Sequence, residues 1–157
     1  MMKKLGLSAF LLLMCMQAFA GNALPADVLQ KLNAQAPLKA GEVLYIDFWA
    51  SWCNPCRKSF PWMNSMVEKY KGQGFKVLAV NVDKDKALAE NFLSGVNPSF
   101  PILYDPDGTL AKQFKVKGMP SSFVIDSKGN VLLAHKGFFE EKTESYENEI
   151  TTLLKKN

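Results

Sequence analysis

Two stretches of the chain are apolar on both faces. Val43 to Ala50 reads Val-Leu-Tyr-Ile-Asp-Phe-Trp-Ala and is broken only by Asp47, and Phe75 to Val82 follows the same habit. Strands covered on both sides read this way. Between them, Phe60, Met63, Val67 and Tyr70 fall on one stripe and predict a helix from Cys56 to Lys71. Ser51 to Pro55 is the loop leading into it, and Pro61 should kink it, because proline lacks an N–H and clashes with the preceding turn.

Helical spacing returns at Lys86 to Ser94, where Leu88 and Phe92, and Ala89 and Leu93, are i,i+4 pairs closed by Gly95 and Pro98. Phe100 to Tyr104 is a short extended piece, Asp105-Pro106-Asp107-Gly108 a turn, and Leu110 to Phe114 one or two helical turns. Ser122 to Ile125 and Val131 to His135 are strands joined by the hairpin residues Asp126 to Asn130. Thr143 to Lys156 is an amphipathic helix with acids early and Lys155 and Lys156 late, which suits the helix dipole. Upstream, Val28, Leu29 and Leu32 predict a short helix over Ala26 to Leu32, and Pro37 to Gly41 reads as a connector. Parallel strands first and a hairpin last imply an α/β fold, a central mixed sheet with helices on both faces.

Composition narrows the class. The chain has 157 residues, 48% of them hydrophobic and 22% charged, so one domain with a real core is expected rather than disorder or two domains. Ten Gly and eight Pro exclude collagen-like and Pro-rich readings, and a net charge of +4, scattered along the chain, argues against nucleic-acid binding. Three cysteines are too few for a disulfide-stapled miniprotein and are odd in number.

The first twenty residues explain the odd count. Lys3 and Lys4 form a basic start, Leu5 to Phe19 an apolar run short of a membrane span, and Ala18-Phe19-Ala20 a small-residue exit. The pattern predicts a signal peptide over residues 1–20, cleaved after Ala20, with an uncleaved anchor as the alternative. Cys15 would leave with it; Met14 in front of it does not suit a lipoprotein signal. Residues 21–157 would then form the working domain, exported to the periplasm or an equivalent compartment, where Cys53 and Cys56 can form a disulfide.

Cys53-Asn54-Pro55-Cys56 could bind metal, attach haem or cycle between dithiol and disulfide. Structural zinc needs four ligands, yet the rest of the predicted mature chain offers no further Cys and only His135. Haem attachment needs His after the second Cys, where Arg57 stands. A staple across two residues removes little chain entropy. Redox cycling accounts for the spacing, with no metal and no cofactor beyond the cysteine pair. At a helix start the free N–H groups stabilise a thiolate. Cys53, expected to be exposed, should therefore attack the substrate disulfide, and the more buried Cys56 should resolve the mixed disulfide. Arg57 and Lys58 read as surface charge.

Asp47 is costly inside an apolar strand unless it has a task. Burial would raise its pKa and let it take the proton from Cys56; otherwise it is an acid at a strand edge that reaches water. Gly118-Met119-Pro120 precedes a strand, and Pro120 could be cis or trans on spacing alone. If cis, it would set the Met119 backbone against the cysteine loop, beside a bound substrate segment.

Phe48-Trp49-Ala50-Ser51-Trp52-Cys53-Asn54-Pro55-Cys56 resembles the active-site segment of the thioredoxin superfamily, and the chain resembles its TlpA/ResA-like branch of exported thiol–disulfide oxidoreductases. The likeness runs from about Leu44 to Gly137 and includes Asn81-Val82-Asp83 and Gly118-Met119-Pro120-Ser121-Ser122. It implies a thioredoxin-like fold, Cys53 as nucleophile, Cys56 as resolving thiol, Asp47 as the buried acid and a cis Pro120. Trp52, Asn54, Pro55, Met119 and Pro120 are the expected substrate-binding residues. Ser59 stands where some members carry an acid. Gly-Met-Pro-Ser-Ser replaces the Gly-Ala-Pro-Glu-Thr of members dedicated to cytochrome c maturation, so haem delivery is not implied.

The expected activity is reduction of protein disulfides by a monomer recharged by a membrane thiol carrier. Pro55 beside Cys56, with no His between the cysteines, favours the reducing direction. The alternatives are an oxidant or isomerase on the same fold, a non-catalytic interaction module and, least in keeping with the spacing, a copper carrier.

Overall fold

The computed structural model describes residues 23–156. The elements run α1 (Ala26–Gln35), β1 (Val43–Trp49), α2 (Asn54–Lys69), β2 (Phe75–Asn81), α3 (Lys86–Val96), β3 (Ile102–Tyr104), α4 (Thr109–Gln113), β4 (Ser121–Asp126), β5 (Val131–Lys136) and α5 (Thr143–Lys156), with a 3-10 turn at Glu140–Lys142. The predicted signal peptide, with Cys15, lies outside the described residues.

Five strands form one mixed sheet in the order β3-β2-β1-β4-β5. β1 pairs parallel to β2 and antiparallel to β4. β3 adds parallel to β2, and β5 returns antiparallel to β4. Strand alternation divides β1 between two cores. Val43, Tyr45 and Trp49 join residues of α2, α3 and α5 on one face, including Phe60, Met63, Phe92 and Ile150. Leu44, Ile46 and Phe48 meet Val28, Leu32, Leu110 and Phe114, from α1, α4 and its C-terminal edge, on the other. The expected α/β sheet with helices on both faces is thus present.

Most differences from expectation are at element ends. α2 starts at Asn54, two residues early, because Cys53 rather than Pro55 is its N-cap. The helix continues through Pro61. α3 runs through Gly95 to Val96, and the left-handed Asn97 (φ 44°) ends it, its N–H bonding Leu93 O. The β4–β5 turn is built as its residues suggest. The Asp126 carboxylate accepts the N–H groups of Lys128 and Asn130 and the Asn130 side-chain amide. Gly129 supplies the φ of +82° that the turn requires.

On the α2 face, Trp49, Phe60 and Phe92 pack ring to ring at centroid distances of 4.6–5.2 Å. Pairs of this kind are worth about 0.5–1.5 kcal/mol beyond their burial. Through Phe60 they tie α2 to β1 and α3.

Candidate active site

β1 leaves the sheet at Trp49, and the Cys53 N–H bonds Ala50 O at 3.1 Å to close a turn. Helix α2 begins immediately afterwards. Its Asn54 and Pro55 are the first two helical positions; proline is tolerated there because its missing N–H would have no partner. Cys53 and Cys56 are joined in a disulfide, with Cα atoms 5.4 Å apart. Cys53 Sγ also accepts the Cys56 N–H at 3.3 Å, so the sulfur occupies the position of a helix cap.

Cys53 was expected to be exposed, and here the structure departs from expectation. It is 4% exposed and Cys56 is fully buried. The order is as expected, but capping and the disulfide turn Cys53 inward too. The exposed parts of the loop are Asn54, Pro55 and above all Trp52, which is 69% exposed.

Asp47 sits two positions from Trp49 on the same face of β1, the face that packs against α2. It is 1% exposed, so the reading as a strand-edge acid that reaches water fails: β1 is the central strand. Its sheet partners, Ala79 and Ser122, bring no charge. Its Oδ2 has no hydrogen-bond partner among the described residues. Burial therefore pushes its carboxyl well above the usual carboxylate range. Burial, followed by the Asp47 charge, also raises the neighbouring Tyr45 hydroxyl.

Met119–Pro120 is a cis peptide. Pro120 is buried, and its carbonyl accepts the Gly137 N–H at 2.8 Å; Ser121 Oγ donates to Gly118 O at 2.7 Å. Met119 is partly buried and packs against the core that contains Cys53 and Cys56.

Like Asp47 Oδ2, the buried Trp49 Nε1 has no hydrogen-bond partner among the described residues, whereas other polar groups near the site have neighbours. Arg57 lies 4.6 Å from the Phe92 ring centroid, and Lys58 pairs with Glu140 on the surface. Ser59 is buried and donates to Cys56 O at 3.1 Å. His135 is held by Glu149 at 2.8 Å and packs on Tyr146. Among the described residues no group of three or more His, Cys, Asp or Glu could hold a metal, and no helix is long and apolar enough to cross a membrane.

One group has no role in the sequence reading. The buried Asp83 carboxylate accepts both the N–H and the Oγ–H of Ser51, each at 2.8 Å, across 32 residues of chain. The signal for it lies in Asn81 and Asp83, two polar residues that end an apolar strand.

Comparison with known proteins places this geometry. The model of the family described as Redoxin matches residues 19–150. The thiol-disulfide oxidoreductase ResA of Bacillus subtilis is 32% identical over 139 residues, covering 86% of this chain and 75% of that protein. ResA of Bacillus thuringiensis is 35% identical over 112 residues, 71% of this chain; the match spans only 65% of that relative's length. A solved structure from Chlorobium tepidum, described as a thiol:disulfide interchange protein DsbE, superposes with a TM-score of 0.70 at 50% identity, covering 73% of this chain and 82% of that one.

Proposed function

The chain belongs to the Redoxin family, among proteins of the ResA and DsbE type, and from that premise we propose that it is a thiol–disulfide oxidoreductase that reduces protein disulfides. One observation carries the reading: the Cys53–Cys56 disulfide at the start of α2, with Cys53 Sγ in the capping position. A sulfur there, once reduced, faces the partial positive charge of the helix start and is favoured as thiolate.

The cycle begins with the reduced pair. Cys53 thiolate attacks one sulfur of the substrate disulfide, breaking that bond, forming the mixed disulfide and releasing one substrate thiolate. Cys56 loses its proton and attacks Cys53 Sγ, which breaks the mixed disulfide and releases the second thiolate. Two electrons pass to the substrate, and Cys53–Cys56 is left oxidised. Asp47, buried on the face that packs against α2, takes the Cys56 proton. A carboxyl whose pKa lies above the usual range is a better base for this than a freely hydrated one. Trp52, Asn54, Pro55 and Met119 provide the surface on which the substrate segment lies, and the buried Pro120 backs the Met119 backbone.

Export and the domain boundary complete the proposal. Lys3 and Lys4, the Leu5–Phe19 run and Ala18-Phe19-Ala20 support a signal peptide over residues 1–20 and a working domain over 21–157. In an exported compartment a membrane thiol carrier would return the two electrons to Cys53–Cys56. The test is reduction of insulin disulfides with dithiothreitol as donor. Wild type accelerates the reaction and Cys53→Ser does not; equal rates would refute the reading.

A further inference from the structure

The turn that presents Cys53 is fastened from outside its own segment. Ser51 is the second residue of that turn, between Ala50, whose carbonyl accepts the Cys53 N–H, and Cys53 itself. Both of its donors go to one carboxylate: its N–H to Asp83 Oδ2 and its hydroxyl to Asp83 Oδ1. Two bonds from one residue to the two oxygens of one group fix rotation as well as position.

Asp83 is fastened in turn. Asn81 Nδ2 donates to Asp83 Oδ2 at 2.7 Å, and the Asp83 N–H returns to Asn81 Oδ1 at 3.1 Å. Asn81 is fully buried at the end of β2, paired with Trp49 on one side and Tyr104 on the other. The Val82 N–H bonds Trp49 O at 3.0 Å, and the Asp105 N–H bonds Asn81 O at 2.8 Å. A buried carboxylate persists only when donors replace its water. Here the donors come from the cysteine turn itself, through Ser51, and from the end of β2, through Asn81.

We infer that Asp83 is a positioning residue for Cys53, acting through Ser51: it holds the Ala50–Cys53 turn in the geometry from which Cys53 Sγ meets the substrate disulfide in line. The inference rests on the dithiol reading above. Thiol–disulfide exchange needs the attacking sulfur aligned with the S–S bond, and small misplacements of a reacting atom are costly in rate. Alkylation by a small reagent has no such demand on the direction of approach.

The test compares two rates on the reduced full chain: single-turnover reduction of insulin, and alkylation of Cys53 by iodoacetamide at the same pH. Asp83→Asn and Ser51→Ala are each expected to slow insulin reduction about tenfold or more while changing alkylation by less than twofold. Ser51→Thr, which restores a hydroxyl, should recover most of the loss. Ser51→Ala keeps the backbone bond to Asp83, so it remains available if Asp83→Asn does not fold. Unchanged insulin rates in both variants would overturn the inference. So would parallel losses of reduction and alkylation, which would mean that Asp83 acts on the thiolate itself. Failure of wild type to reduce insulin would count against the proposed function instead.

Discussion

Cys53 caps the helix that carries Cys56: its sulfur accepts the Cys56 N–H at 3.3 Å while bonded to Cys56 Sγ. The two thiols are therefore unequal before any substrate arrives. When the pair is reduced, the charge of the helix start falls on Cys53. The pH profile of iodoacetamide alkylation should have its midpoint below that of a free thiol. A midpoint at the free-thiol value would remove helix capping from the account.

The same inequality assigns the steps. Cys53→Ser abolishes disulfide reduction. Cys56→Ser leaves the first attack intact and the second impossible, so covalent complexes with substrate accumulate and disappear on adding dithiothreitol. Normal turnover by Cys56→Ser would contradict the order of attack.

Asp47 joins stability to function with opposite signs. Its carboxyl is held well above the usual range by burial, so between the ordinary and the raised value the folded chain keeps a proton that the unfolded chain has lost. As pH rises through the ordinary carboxylate range, the wild type therefore loses stability, and it stops losing only above the raised folded value. Asp47→Asn should unfold at a higher urea concentration than wild type at pH 7, with the difference shrinking at pH 4. Its turnover near neutral pH should fall by about a hundredfold, the low end for a lost general base. A variant that is neither slower nor more stable would show that the carboxyl is solvated and idle.

Trp52 is large, apolar and 69% exposed beside the disulfide. Trp52→Ala should raise KM for a protein substrate about tenfold, or ~1.4 kcal/mol, with no change in the urea midpoint. A lower midpoint with unaltered KM would make it a structural residue.

Much of this was legible in the chain. The doubly apolar runs gave β1 and β2, and the Asp126–Asn130 sequence gave its turn, because burial and turn chemistry are local. Cys53, Cys56 and the odd Asp47 stood out for their residue type and spacing. The start of α2 did not, because Cys53 caps it with sulfur, a weak acceptor that propensity does not flag. The end of α3 was misplaced because Gly95 is tolerated inside the helix and Asn97 takes the left-handed turn. Pro120 could be placed before its strand, but spacing left its isomer open. Asp83 gained its role only when the fold brought it to Ser51 from 32 residues away.

The central claim is that the pair gives electrons to protein disulfides, and the reduction potential of Cys53–Cys56 tests it most directly. Equilibration with glutathione or dithiothreitol buffers should place it toward the thioredoxin end of the scale, about −270 mV. A value near −120 mV, the strongly oxidising end, would contradict the reductase and make the protein an oxidant.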